Sequence, residues 1–190
     1  MASAATNDIR AGMKLEIDKQ PFLVLGNEFV KPGKGQAFNR IRVKNMVNGK
    51  VVEMTYKSGE KIDLADIEES EMRFVYKEAD SAVFMDEKTF DQISISNDIL
   101  GNNQQWLMEE TVFHVVFYKG VVIEVTPPTF MEMIVKETAP GVRGDTSGRV
   151  LKPAVTETGA KIQIPIFVDE GERIKVDTRT CEYVSRASEK

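Results

Sequence analysis

Residues 28–57 read EFVKPGKGQAFNRIRVKNMVNGKVVEMTYK, and the alternation within them decides the fold. From Ala37 onward apolar and polar residues take turns, with Ile41 and Val43 on one face and Arg40, Arg42 and Lys44 on the other. Successive side chains of a strand point to opposite sides, so this period of two marks a half-buried strand. The pair Asn48-Gly49 predicts a tight type I′ turn, after which Val52, Met54 and Tyr56 alternate again. Ahead of Ala37 the KPGKG stretch breaks the pattern. Pro32 fixes its own φ and restricts Lys31 to extended geometry, while Gly33 and Gly35 supply the freedom that a tip requires. The stretch therefore predicts a hairpin that holds Lys34 out at its end, packed on nothing of its own chain.

The rest of the chain follows the same period. GMKLEID and PFLVLGNEFV precede the hairpin, so residues 1–64 read as a small meander closing into a barrel. MRFVYK, SAVFMDE, TVFHVVFYKG and VVIEV follow in residues 65–128, then MEMIVKE, AKIQIPIFV and ERIKVDTRT in residues 129–190. One helix is expected, at roughly 98–109, kept short by Gly101 and its flanking asparagines. Short strands, frequent turns and scarcely any helix predict an all-β chain of small barrels. The joins near 64 and 128 are placed by a shift of charge and by Pro127-Pro128. One segment departs from the rhythm. ETAPGVRGDTSGRVLKPAVTETGAK carries Gly141, Gly144, Gly148 and Gly159 with Arg143, Arg149 and Lys152. It reads as a loop of roughly twenty residues, a length that is more often functional than idle.

Charge is partitioned along the chain. The net charge of −5 argues at face value against nucleic acid. Yet residues 1–64 carry 11 cations against 7 acids, residues 65–128 carry 4 against 13, and residues 129–190 carry 10 of each. Lys31, Lys34, Arg40, Arg42 and Lys44 lie in a span that holds no acid. Such an arm can meet phosphate, whereas the acidic middle segment is repelled by it. With 42% hydrophobic residues the chain can bury roughly one to three small cores. It has no apolar run of membrane-spanning length, and MASAATNDIR lacks the apolar stretch of a secretory signal. The single cysteine, Cys181, forms no internal disulfide and fits a reducing cytoplasm as an inert packing residue.

Catalytic motifs are missing. GKGQAF puts Phe38 where a dinucleotide-binding loop needs its third glycine, and no βαβ unit surrounds it. DTSG at 145–148 has no second copy to supply the paired carboxylate of an aspartic protease. His114, the only histidine, sits among apolar neighbours and is expected to be a strand residue held by local partners. One histidine and one cysteine argue against a transition-metal site. The chain is therefore expected to be no enzyme and to hold no metal.

The motifs nevertheless have a likeness. EFVKPGKGQAF closely resembles the signature hairpin of the bacterial translation elongation factor P family. TPPTFMEM, ETAPGVRGDTSGR and KPAVTETGAKIQIPIFVDEGERIKVDTRTCEYVSR resemble that family's later blocks, in its order, so the likeness runs the whole chain. A related factor family shares the architecture but lacks the PGKG tip and the GDT loop. Keeping Lys34 with Gly144, Asp145 and Thr146 favours elongation factor P proper. Ile164 before Pro165, where the family more often has valine, is a conservative departure.

The resemblance implies an SH3-like (KOW-like) barrel at 1–64, then OB-like barrels at 65–128 and 129–190, in an L-shaped, tRNA-like outline. It implies a cytoplasmic monomer without cofactor that binds the ribosome, both rRNA and ribosomal proteins, beside peptidyl-tRNA. There it stimulates peptide-bond formation and relieves stalling at consecutive prolines. Lys34 matches the family's modified lysine, which receives β-lysylation or a related group from a lysyl-tRNA-synthetase-like enzyme and approaches the CCA end. Pro32, Gly33 and Gly35 set the hairpin geometry, and Lys31, Arg40, Arg42 and Lys44 form the phosphate-contacting stripe. Gly144, Asp145 and Thr146 match a loop that reaches toward the exit-site codon, and Tyr183 and Arg186 match contacts to the small subunit and tRNA stem. The alternative is an OB-fold RNA-binding protein acting off the ribosome. That reading wants exposed aromatics interleaved with cations, and the basic strands offer only Phe38.

Overall fold

A computed structural model of the chain describes residues 2–140 and 150–187, and strands make up nearly all of its regular structure. Compactness divides it into two units, Met1–Ser70 with Val115–Glu124, and Glu71–His114 with Val125–Lys190. In the first sheet β1 (Ser3–Ala5), β2 (Lys14–Ile17), β3 (Gln20–Val30), β4 (Phe38–Asn45), β5 (Val51–Lys57) and β6 (Lys61–Leu64) run in the order β1-β6-β2-β3-β4-β5. All of its pairings are antiparallel. Its core gathers the inward positions of these strands, Leu15, Phe22, Val24, Ile41, Val43 and Ile62, together with Ile9. The expected alternation in β4 is present: Asn39, Ile41, Val43 and Asn45 are buried, and Arg40, Arg42 and Lys44 are exposed.

The turn after β4 is longer than Asn48-Gly49 predicts. A type I′ turn needs positive φ at both central residues, and only Gly49 (φ 73°) has it here. Asn45 takes control of the loop instead. Its side-chain oxygen accepts from the Val47 and Asn48 amides at 2.9 and 3.1 Å, and its backbone nitrogen donates to the Lys50 carbonyl at 2.9 Å. The whole of 46–50 therefore separates the strands.

The second sheet orders β7 (Ile67–Lys77), β8 (Ser81–Asp86), β9 (Gln92–Ser96), β10 (Val112–Tyr118) and β11 (Val121–Thr126) as β11-β10-β7-β8-β9. Phe84 sits edge-on between Phe74 and Phe113, with ring centroids 5.7 and 5.4 Å away. The helix expected at roughly 98–109 is one α-turn, α1 (Asn97–Leu100), followed by a 3₁₀ turn at Gly101–Trp106. Gly101 (φ 50°) ends α1 by leaving helical geometry, and the 3₁₀ turn then buries Trp106.

The third sheet closes on itself. β12 (Phe130–Thr138), β13 (Leu151–Thr156), β14 (Lys161–Pro165), β16 (Glu182–Arg186) and β15 (Arg173–Asp177) follow one another around the barrel, and β15 pairs back onto β12. Met131, Met133, Val135, Ile162, Ile164, Ile174 and Val176 fill it. β13 lies inside the stretch that the sequence reads as one long loop, so Leu151–Thr156 of that stretch is strand. The strand is concealed because its inward positions are Lys152, Ala154 and Thr156 while Leu151 faces out. Lys152 is therefore no loop cation. It is 6% exposed, and its Nζ donates to the Ala139 carbonyl at 2.9 Å.

A short turn links β15 to β16, and Asp177 organises it. The carboxylate accepts from Arg179, at 2.9 Å from the backbone nitrogen and 2.7 Å from Nη2, while the Asp177 carbonyl accepts from the Cys181 amide at 2.9 Å. The Arg179 side chain and backbone together hold the Asp177 carboxyl down from 3.8 to about 2. A depressed carboxyl stabilises the fold above its unfolded pKa, and that contribution is lost as the pH falls through the folded value. Asp177→Asn should therefore unfold at lower denaturant than wild type at neutral pH, with the gap closing between pH 3.8 and about 2. Urea titrations at a series of pH values check this; a gap independent of pH assigns the loss to packing instead.

Candidate functional site

The arm grows directly out of the register between β3 and β4. Val30 pairs with Phe38, Phe29 with Asn39 and Glu28 with Arg40, so beyond a register shift between Val24 and Gly26 the ladder continues to the start of the loop Lys31–Ala37. Of the two tip glycines, Gly35 has the conformation that needs glycine (φ +115°), and the Pro32 ring lies 3.8 Å from where its Cβ would stand. Gly33 has no such φ and faces open space. Lys34 between them is exposed, and its amine has no hydrogen-bond or ion-pair partner among the described residues.

Behind the tip, Lys31, Arg40, Arg42 and Lys44 are all exposed. The Arg40 guanidinium rests over the Phe38 ring, 5.8 Å from its centroid, which joins an aromatic to the cationic face. Register adds residues that linear reading misses. On the same face, Arg40 lies across from Glu28, Arg42 across from Glu53, and Phe38 across from Lys57. The stripe is thus a mixed surface with a cationic excess, interrupted by one acid from β3 and one from β5.

The other expected residues lie elsewhere. Gly144, Asp145 and Thr146 fall outside the described residues. Tyr183 and Arg186 both belong to β16, and the structure adds a third member, Phe167. Its ring meets Tyr183 edge-on at 6.4 Å, and the Arg186 guanidinium lies over it at 5.3 Å. Arg186 is also committed to Glu172, with Nε 2.7 Å from the carboxylate, and donates to the Phe167 carbonyl at 3.0 Å. A second pair on the same barrel places Lys175 over Phe130 at 4.8 Å. Exposed aromatics beside cations are thus present on this barrel, and on the arm itself Phe29 of β3 is exposed as well.

His114 has a local partner, with Nδ1 2.9 Å from the Glu71 carboxylate. Among the described residues no group of three or more histidine, cysteine or acidic side chains could hold a metal. Among them, too, no helix is long and apolar enough to cross a membrane.

Comparison with known proteins fits this arrangement. The family model "Elongation factor P (EF-P) KOW-like domain" matches residues 5–62, "Elongation factor P (EF-P) OB domain" residues 67–125, and "Elongation factor P, C-terminal" residues 131–186. The chain is 60% identical over 189 residues to Elongation factor P 2 of Protochlamydia amoebophila and 58% identical to that of Chlamydia caviae. In both cases 99% of this chain and 100% of the relative are covered. In fold it is similar to the eukaryotic translation initiation factor 5A from Methanococcus jannaschii, with TM-score 0.55 and 16% identity over 66% of this chain and 92% of that one. A translation initiation factor eIF-5A family protein from Naegleria fowleri gives TM-score 0.54 and 14% identity, covering 66% of this chain and 97% of its own. Three matched models in series, and relatives more than half identical along their whole length, place the chain in the elongation factor P family of translation elongation factors.

Proposed function

We propose that the chain acts on the ribosome as a non-enzymatic factor of three modules, 1–64, 65–128 and 129–190. It sits beside peptidyl-tRNA and speeds peptide-bond formation where consecutive prolines stall it. One observation carries the reading: Lys34 stands unpartnered, among the described residues, at the tip of an arm whose strands are paired up to the loop. Such an arm can orient a substrate in an active site that another body supplies. Holding reacting groups in place removes entropy from the barrier. Every reduction of about 1.4 kcal/mol is a factor of ten in rate. Proline is a constrained acceptor and donor, so it gains most from that help.

On this reading a lysyl-tRNA-synthetase-like enzyme extends Lys34 by β-lysylation or related chemistry, and the tip meets the CCA end. The cationic excess of Lys31, Arg40, Arg42 and Lys44 meets RNA phosphate. Gly144, Asp145 and Thr146 serve the exit-site codon, and Tyr183 and Arg186, joined by Phe167, serve the small subunit or tRNA stem. The factor works in the cytoplasm as a monomer. The exposed pairs Phe130–Lys175 and Phe167–Arg186 favour a second reading, an OB-fold RNA-binding protein acting off the ribosome. Co-sedimentation with ribosomes in a native extract separates the two: recovery of the protein only in ribosome-free RNA fractions sinks the first.

Lys34→Ala leaves strands and core intact, so stability should move by less than about 0.5 kcal/mol while rate enhancement on a Pro-Pro-Pro template collapses. A template without proline runs should barely respond. Lys34→Arg, made in the native host, should fail as well, because its planar head neither takes the lysine-specific group nor replaces a flexible ammonium. Wild-type triproline synthesis by Lys34→Arg shows that a positive charge alone suffices.

The glycines separate by the same assay. Gly35→Ala should strain the loop and reduce triproline stimulation, since its φ of +115° disfavours a Cβ, whereas Gly33→Ala should remain within about twofold of wild type. Equal loss in both variants means that the tip conformation on the ribosome is not the one described.

Charge gives an independent handle. Arg42→Glu should weaken ribosome binding and flatten its logarithmic salt dependence by about one unit for each phosphate that the arm no longer neutralises. Glu68→Lys, an exposed change in the acidic segment, should leave the slope unchanged. Equal slopes for wild type and Arg42→Glu remove the stripe from the interface.

A further inference from the structure

β13 carries its larger apolar side chains on its outer face. Its inward positions are Lys152, Ala154 and Thr156, while Leu151, Pro153 and Val155 point out. A strand with one solvated face normally alternates the other way, apolar in and polar out. Exposed apolar side chains scattered singly need no explanation, but these three recur at every second residue and form one strip. Leu151 is 54% exposed. Register extends the strip sideways. Val155 lies between Glu137 of β12 and Lys161 of β14, and Pro153 lies across from Gln163. Gln163 pairs in turn with Glu182, where β14 and β16 meet in a single parallel pair among the described residues.

The strip is the floor of a cavity of about 860 Å³ on the outside of the barrel. Three carboxylates stand around it, Glu137, Glu170 and Glu182, against one cation, Lys161. All four side chains are exposed. Glu170 is held in place because its Oε1 accepts from the Thr138 amide at 2.9 Å. The side chains of Glu137, Glu182 and Lys161 have no hydrogen-bond or ion-pair partner among the described residues. A rim with net negative charge repels phosphate, so neither RNA nor an anionic membrane fits it. Apolar ground between acids suits a polypeptide whose own apolar residues alternate with cations. Spacing selects its form: Leu151, Pro153 and Val155 recur roughly every 7 Å, the repeat of an extended chain, whereas a helix repeats at about 5.4 Å.

We propose that this groove docks an extended basic segment of a partner protein, in which leucine- or valine-like side chains alternate with lysine or arginine. Its length matches β13, six residues. The apolar side chains lie on the strip, and the long cationic stems fold outward so that their heads meet Glu137, Glu170 and Glu182. Covering the strip supplies the affinity, and the charge of the rim selects the partner. The inference goes beyond the ribosomal reading by giving the third barrel a protein-binding face. Its test needs no ribosome, so either can fail alone.

The test titrates the isotopically labelled full chain with the acetylated peptide Arg-Leu-Lys-Val-Arg-Leu, followed by NMR and by alkylation of Cys181, which lines the same groove. The peptide should shift the Leu151 and Val155 methyl signals saturably and slow the reaction of Cys181 with iodoacetamide. Arg-Ser-Lys-Ser-Arg-Ser, which keeps the charge and loses the apolar residues, should need at least about tenfold higher concentration. Leu151→Ser and Glu182→Lys alter exposed side chains and should each weaken the first peptide at least about fivefold, with the rest of the spectrum unchanged. Glu68→Lys, in the acidic segment, should leave its binding as it is. The proposal is overturned by equal binding of the two peptides, by shifts confined to residues 65–128, or by an affinity indifferent to both groove variants. Absence of binding overturns it as well, and leaves the groove to the chain's own residues 141–149 or to a second copy.

Discussion

The pairing of β3 with β4, from Phe22↔Asn45 to Val30↔Phe38, is the constraint on which the first sheet depends. Side chains alternate along a strand, so a slip of a single position would bury Arg40, Arg42 and Lys44 and expose Ile41 and Val43. The burial of those apolar side chains therefore holds the cations outward. The same ladder carries the arm, because the loop Lys31–Ala37 starts only where the last pair ends. Tip and stripe are both outcomes of that pairing, whose register shifts once, between Val24 and Gly26.

That register is partly legible in the sequence. Strict alternation in FNRIRVKN and FMEMIVKET names the strands and their inward faces without any tertiary knowledge. What alternation cannot name is the neighbour across the ladder. Glu28 and Glu53 join the cationic face only through pairing, so a span without acids in sequence becomes a face with two of them in space. β13 stays hidden because its inward set, Lys152, Ala154 and Thr156, reads as polar or small, and it flanks a glycine-rich segment. Phe167 is invisible as a site residue because its ring meets Tyr183 and Arg186 only through closure of the barrel, across segments well separated along the chain.

Local hydrogen bonding overrides propensity in a consistent way. Asn45 captures the amides that Asn48-Gly49 is expected to organise, and Asp177 likewise gathers the amides and guanidinium of the turn after β15. After β4 a side-chain acceptor at the end of a strand competes with the turn dipeptide and wins because it is already fixed by the sheet. Turn chemistry read from dipeptides alone ignores that competitor.

The same division of faces lets one small chain keep folding and recognition apart. Core positions of the first sheet point inward and are apolar, apart from amides bonded within it, so they tolerate no charge but demand little of a partner. The outward positions and the tip contribute little to packing, since exposed substitutions change stability only slightly. Lys34 is the extreme case. It has no structural partner to lose among the described residues, and Gly35 rather than the lysine sets the loop's conformation. Asn39 is the exception, an amide at a core position whose nitrogen donates to Asn27 while its oxygen is buried without a donor among the described residues, so the unmade bond counts against the fold.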